Sequence, residues 1–164
     1  MNRRAAPRVR AIASILPLLI GLLLLTAAPA AQAAGGLNSP VLITTGQVIQ
    51  SETSGDPIQV DTGSWLLFRN GFSVSNENAE VLETITLEIV LDGELLAVET
   101  VTEPLGDDAT VLWGYASSPP LSPGSMHTVT YRGSASEAGE DGFGGSWEQG
   151  ILFEFTGTIV AGGS

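Results

Sequence analysis

The chain has 164 residues, among them 18 acids, six arginines, one histidine, no lysine and no cysteine. Arg3, Arg4, Arg8 and Arg10 lie in the first ten positions, and the first acid is Glu52, so a cationic opening precedes a strongly acidic remainder. That balance argues against a nucleic-acid binder, the missing cysteines against a disulfide-stapled mini-protein or thiolate metal site, and the length against a multidomain enzyme.

The first elements form an address. Arg3 to Arg10 make a basic region, and an apolar stretch from Ala11 to Ala28 is rich in leucine around Leu16, Leu18, Leu19 and Leu22 to Leu25. Small residues follow at Ala30-Ala31-Gln32-Ala33-Ala34. The plan is that of a secretory signal peptide over residues 1–33, cut after Ala33, with Ala30 as the second choice. An uncleaved anchor is the competing reading. It wants about 20 apolar residues, and this run is shorter and interrupted by Pro17. Arg3-Arg4 is a weak twin-arginine signal, because Ala5-Ala6-Pro7 follows it. Removing the address leaves 131 residues at a net charge of −16, with Arg69 and Arg132 facing 18 acids. Such a chain buries roughly two-thirds of its unfolded surface, enough for one domain without disulfides.

Residues 34–40 read as a short leader, and residues 41–161 as one domain. No helical apolar period of useful length is visible there. Instead, short apolar or alternating runs recur between Gly, Pro, Asn and Asp: Val41–Thr45, Gln47–Ser51, Ile58–Asp61, Trp65–Phe68, Phe72–Val74, Leu82–Leu91, Leu95–Val101, Thr110–Tyr115, His127–Arg132 and Ile151–Val160. The strongest local signal is Leu91-Asp92-Gly93-Glu94, since Asp-Gly supplies the two positive-φ positions of a type I′ hairpin turn. It pairs Leu91 with Glu94, Ile89 with Leu96, Leu87 with Val98 and Ile85 with Thr100. Ile85, Leu87, Ile89 and Leu91 then share an inward face with Leu96 and Val98. Val90, Leu95 and Val101 fall outward, which predicts partial cover there. In the last run Ile151, Phe153, Phe155 and Ile159 take one side, and Leu152, Glu154, Thr156 and Thr158 the other. Seven to nine short strands in a chain of this size predict an all-β, antiparallel sandwich. Residues 117–120 and 134–146 read as loops.

The stretch Leu121-Ser122-Pro123-Gly124-Ser125-Met126-His127-Thr128-Val129-Thr130-Tyr131 resembles the strand E–F corner of fibronectin-type-III and related bacterial Ig-like domains. Leu121, Pro123, Gly124 and Val129 match that pattern, and Tyr131 takes its last apolar place. His127 stands where the family's corner tyrosine would bond back to the backbone. The resemblance covers eleven residues; it implies an Ig-like sandwich and, because such domains serve many roles, no particular activity.

His127, the one imidazole, is in phase with Val129 and Tyr131 and reads as a buried structural residue, with no serine nucleophile that the sequence places beside it. Asp107, Asp108, Glu140 and Asp141 sit in glycine-containing turns that suit a hard cation such as Ca²⁺, although neither stretch has alternate Asp spacing and a solvated acidic loop is the plainer reading. Paired carboxylates for glycoside hydrolysis need two acids in a cleft, and Glu88 and Glu154 alternate outward instead. Trp65, Trp113, Trp147, Phe72 and Phe143 are the aromatics available for a sugar-stacking platform or a protein-binding patch. Trp65 and Trp113 read as core, leaving Phe143 and Trp147, beside Gly144-Gly145, as exposed recognition residues. Without lysine or a strand–loop–helix context there is no phosphate loop. The acidity disfavours polyanions and anionic membranes, so the signal peptide supplies the only, transient, membrane contact.

The expectation is a secreted, non-catalytic binding or structural module for an extracellular protein or glycan. A Ca²⁺- or carbohydrate-binding accessory domain is the alternative, and a small secreted hydrolase a distant third.

Overall fold

A computed structural model describes residues 40–162. The expected signal peptide, residues 1–33, and nearly all of the expected leader, residues 34–40, lie outside them. Among the described residues no helix is long and apolar enough to cross a membrane. The fold is mostly β. In chain order it runs β1 (Val41–Thr44), α1 (Thr45–Ser54), β2 (Ile58–Val60), β3 (Leu66–Ser75), a 3₁₀ segment (Asn76–Thr84), β4 (Ile85–Leu91) and β5 (Glu94–Leu95). Then come β6 (Glu99–Leu105), β7 (Ala109–Ser118), β8 (Met126–Ala135), β9 (Gly139–Glu140), β10 (Ser146–Trp147) and β11 (Gly150–Ala161).

One sheet has the order β1-β3-β7-β6, a second β2-β11-β8-β4-β5, and β9 pairs only with β10. Both larger sheets are mixed rather than wholly antiparallel, because β1 runs parallel to β3 and β2 parallel to β11. The cause is α1. It carries the chain from the edge of one sheet to the edge of the other, and each short flanking strand lies parallel to its longer neighbour. The expected strand over Gln47–Ser51 is therefore helix. Its buried face is Thr45, Val48 and Ser51, too polar to register as an apolar period. The local helix signals are at its ends. The Gln47 side chain accepts from the Thr44 backbone N–H at 2.8 Å, and Gly55, at φ 77°, donates to the Ser51 carbonyl at 2.9 Å.

The helix also serves an edge. Ser51 Oγ accepts from Thr158 N at 3.1 Å and Glu52 Oε1 from Thr156 N at 3.2 Å, on the part of β11 that β2 does not reach. Gly157 allows this approach: a Cβ there would press on Val48 and Ser51. Side chains of a helix thus replace a neighbouring strand as acceptors for β11.

The type I′ turn forms as its sequence predicts, with Asp92 at φ 52° and Gly93 at 83°. Leu91 pairs with Glu94, and Leu96 N donates to Ile89 O at 2.9 Å. Beyond that the hairpin reading is corrected. Leu87 and Ile85 pair with Gly133 and Ala135 on β8, while the chain after Leu96 leaves for the other sheet and pairs with β7 as β6. Leu96 and Val98 still point inward, against the shared core. The outward residues Leu95 and Val101 are exposed, not covered.

The two sheets pack through Ile43, Leu66, Phe68 and Ala116 on one side and Ile89, Val129, Tyr131 and Ile159 on the other. A second cluster, built on Val74, Leu82, Ile85, Leu87, Leu112 and Ala135, fills the other end under the 3₁₀ segment. Two buried polar groups tie the layers. The Tyr131 hydroxyl donates to the Ile43 carbonyl at 2.7 Å, and burial pushes its phenol well above the usual range. Asn70, fully buried, donates from Nδ2 to the Arg132 carbonyl at 3.2 Å and accepts on Oδ1 from Gly71 N and the Thr45 hydroxyl. Each polar atom finds a partner, as burial demands.

Candidate functional site

The acidic loops come first, as the proposed cation ligands. Asp107 and Asp108 lie in the β6–β7 turn, and Glu140 and Asp141 at β9, so the two pairs belong to different loops. Asparagines of the 3₁₀ segment tie down both. Asn76 donates from its backbone N to the Asp108 carbonyl and from Nδ2 to that of Asp107, and Asn78 Nδ2 reaches the Glu140 carbonyl at 3.0 Å. The carbonyl oxygens a hard cation would use already accept N–H groups. Asp141 is buried and turned on its own loop: its Oδ1 accepts from Phe143 N at 2.7 Å and Gly145 N at 2.8 Å. Among the described residues no group of three or more His, Asp or Glu gathers in a metal-holding arrangement.

The aromatics are distributed differently from expectation. Phe143 is exposed, as its sequence context suggests. Trp147 is corrected: its ring meets Phe72 edge-on at 5.4 Å, its Nε1 donates to the Glu137 carbonyl, and it closes the second core cluster. Phe72 itself stacks on Phe153, and Phe153 on Phe155, inside the molecule. Trp65 and Trp113 are not core. Trp65 is 52% exposed at the head of β3. Trp113 pairs with Gly71 on the outer face of the β1-β3-β7-β6 sheet, its ring lying where a Gly71 Cβ would be. Strand alternation inside a run marks which residues share a face, but not which face is outside.

That outer face is the most distinctive surface of the fold. Register aligns Leu42 with Leu67, Arg69 with Tyr115 and Trp113 with Val101 across four strands. The Arg69 guanidinium lies 4.6 Å from the Trp113 ring centroid, a cation–π contact. Its Nε finds no hydrogen-bond partner among the described residues, and no carboxylate there forms an ion pair with it. Arg69 thus lies against an indole, in a row that runs Thr44, Arg69, Tyr115, Glu99, and it forms no ion pair among the described residues.

The opposite outer face is conventional. Arg132 on β8 stands between Glu88 on β4 and Glu154 on β11, with Nε 2.6 Å from Glu154 and Nη1 3.2 Å from Glu88. Glu154, and after it Glu88, hold this guanidinium above its ordinary pKa. Beside them the Thr130 and Thr156 hydroxyls bond at 3.0 Å. The two carboxylates share one arginine, which leaves no unneutralised pair for acid–base work.

His127 is not deeply buried. It is in phase with Val129 but stands at the sheet rim with a 20% exposed side chain. Its Nδ1 is 2.6 Å from Asp92 Oδ2, and its Nε2 is 2.7 Å from Ser125 Oγ. Asp92 Oδ1 also accepts from Thr128 N at 2.9 Å, docking the hairpin turn on β8. The His127 hydrogen bond, ahead of the Thr128 bond and against a smaller burial effect, holds the Asp92 carboxyl below its usual range. Ser125 was legible in principle, since residues two apart on a strand share a face. Asp92 was not, because only the tertiary fold brings the turn across. No protein-family model, curated protein or solved structure matches the chain.

Proposed function

We propose that this is a secreted or cell-surface, Ig-like β-sandwich module that binds an extracellular ligand without turning it over. The observation that carries the reading is the outer face of the β1-β3-β7-β6 sheet, where Leu42, Leu67, Trp113, Tyr115 and Val101 share a face with an Arg69 that stacks on Trp113 and forms no ion pair among the described residues, Glu99 standing at the β6 end of its row. Contiguous apolar surface of this kind costs solubility and is uncommon on a face that meets only water. Residues 1–33, by sequence, supply the route across the membrane. A glycan is favoured as ligand by one particular: a planar ring beside a guanidinium offers a stacking surface for sugar C–H groups and N–H donors for hydroxyls.

Trp113 reports its own occupancy. Titrating the folded domain with an array of cell-envelope glycans and with envelope protein extracts, read by tryptophan fluorescence, should show saturable quenching. Trp113→Ala should abolish that response while the domain still melts cooperatively. Saturable binding that survives Trp113→Ala would move the site elsewhere and sink this reading.

A further inference from the structure

We propose that Ser125 is an activated nucleophile that takes up an acyl group from an activated ester, such as a thioester or aryl ester. The arrangement is that of a serine–histidine–aspartate relay, with Ser125 Oγ 2.7 Å from His127 Nε2 and His127 Nδ1 2.6 Å from Asp92 Oδ2. The ionised Asp92 requires a proton on Nδ1, which leaves Nε2 as the lone pair facing the hydroxyl. His127 comes from the start of β8, Ser125 from the residue just before that strand, and Asp92 from the positive-φ position of the docked turn. The site is open, since Gly124 and Met126 on either side of Ser125 are exposed.

In the reaction the Ser125 Oγ attacks the acyl carbon and its proton passes to His127 Nε2. The bond from that carbon to the leaving oxygen or sulfur breaks, and the leaving group takes the proton from Nε2 and departs as a phenol, alcohol or thiol. Ser125 then carries an ester. The backbone N–H that follows the nucleophile, that of Met126, is the donor this chain offers a developing oxyanion. Ser125 O accepts from Ala161 N on β11, so across the trans peptide the Met126 N–H points away from β11. That is the position used by hydrolases whose oxyanion donor follows the nucleophile. The remaining geometry restrains the rate. Ser125 N donates to Ser122 O and Gly124 N to Ala161 O, so neither joins Met126. The Ser122 carbonyl, 2.5 Å from Oγ, also competes with His127 for the hydroxyl proton. The expected chemistry is therefore stoichiometric acylation with slow release, compatible with a module that is not a turnover enzyme. It is independent of the aromatic face, which belongs to the other sheet.

The test uses p-nitrophenyl acetate on the folded chain, followed by p-nitrophenol release and peptide-level mass spectrometry. The expected result is a burst near one equivalent, with a single acetyl group on Ser125. Ser125→Ala should remove both. His127→Gln should slow the burst on the order of 100-fold, the scale of general-base assistance. Should that variant fail to fold, His127→Asn, which keeps an amide N–H toward Asp92, carries the same expectation. Asp92 is a positioning residue, and its signature is spectroscopic: a downfield Nδ1–H proton resonance present in wild type and Ser125→Ala but absent in Asp92→Asn. Acetyl groups scattered over other hydroxyls, no burst, or a burst indifferent to loss of the imidazole would overturn the proposal.

Discussion

The two outer faces of this fold are built by the same strand alternation and partner their arginines in opposite ways. On the β2-β11-β8-β4-β5 sheet the outward row Glu88, Arg132 and Glu154 neutralises itself, and neighbouring threonines bond to one another. On the β1-β3-β7-β6 sheet the outward rows hold Trp113, Tyr115, Leu67 and Val101, with Glu99 and Glu103 along β6, and the arginine there stacks on an indole. The first face pairs its arginine with two carboxylates, and its exposed apolar residues Leu95, Met126 and Ile151 lie on β5, at the start of β8 and at the start of β11. The second leaves apolar area and a guanidinium to be completed by something else. Exposure alone does not separate them, because both rows mix exposed and half-buried side chains; the partners of each polar group do.

Substitutions can break this contrast. Gly71→Ala should have the largest effect, since a Cβ there occupies the space of the Trp113 ring and must swing it off the sheet. Overpacking of this kind costs about 1–3 kcal/mol. Urea unfolding should read that loss, and ligand-dependent quenching should vanish with it. Equal quenching in Gly71→Ala would mean that the ring's placement is irrelevant to recognition.

Tyr131→Phe comes next and acts on both faces alike, because it cuts the hydroxyl tie from β8 to β1. Leaving the Ile43 carbonyl buried without its donor costs about 1–3 kcal/mol. Amide exchange should accelerate along β1 and β3 as well as β8. Acceleration confined to β8 would show that the tie does not couple the layers.

Arg132→Met should do much less, because its two ion pairs are solvent-exposed and screened by salt. The informative measurement is the salt dependence of melting: the wild-type advantage over Arg132→Met should shrink as NaCl rises. If it grows, the network matters through packing of the arginine stem rather than charge.

The smallest expected effect is on pH. Asp92 has a folded pKa below its unfolded value, so its contribution to stability is fully present above the ordinary carboxylate pKa and fades as pH falls through the lowered one. Wild type should lose its margin over Asp92→Asn across that acid window and keep it at neutral pH. A difference independent of pH would assign the role of Asp92 to the turn conformation instead.

Much of the strand layout was legible locally. Ile85, Leu87 and Ile89 alternate as read, and Asp92-Gly93 makes its turn because those residue types tolerate positive φ. The helix over Thr45–Ser54 was hidden because its buried face is small and polar, packed on Gly157 rather than on a broad apolar surface. The second arm of the hairpin was misread for a different reason. Both sheets offer an apolar inner face, so the alternation of Leu96 and Val98 is equally satisfied whether the strand stays or crosses.

What the sequence settles by itself is therefore periodic and local: which residues can alternate, where the chain can turn, and an acidic domain with Arg69 and Arg132 as its only cations. Tertiary structure decided everything that depends on a second segment. It chose which row of aromatics faces water, gave Arg132 two carboxylates and Arg69 an indole, and carried Asp92 across to His127 and Ser125. The physical reason is that alternation fixes a side chain's phase within its own strand, whereas its partner and its solvent exposure are fixed by what packs on that strand from elsewhere.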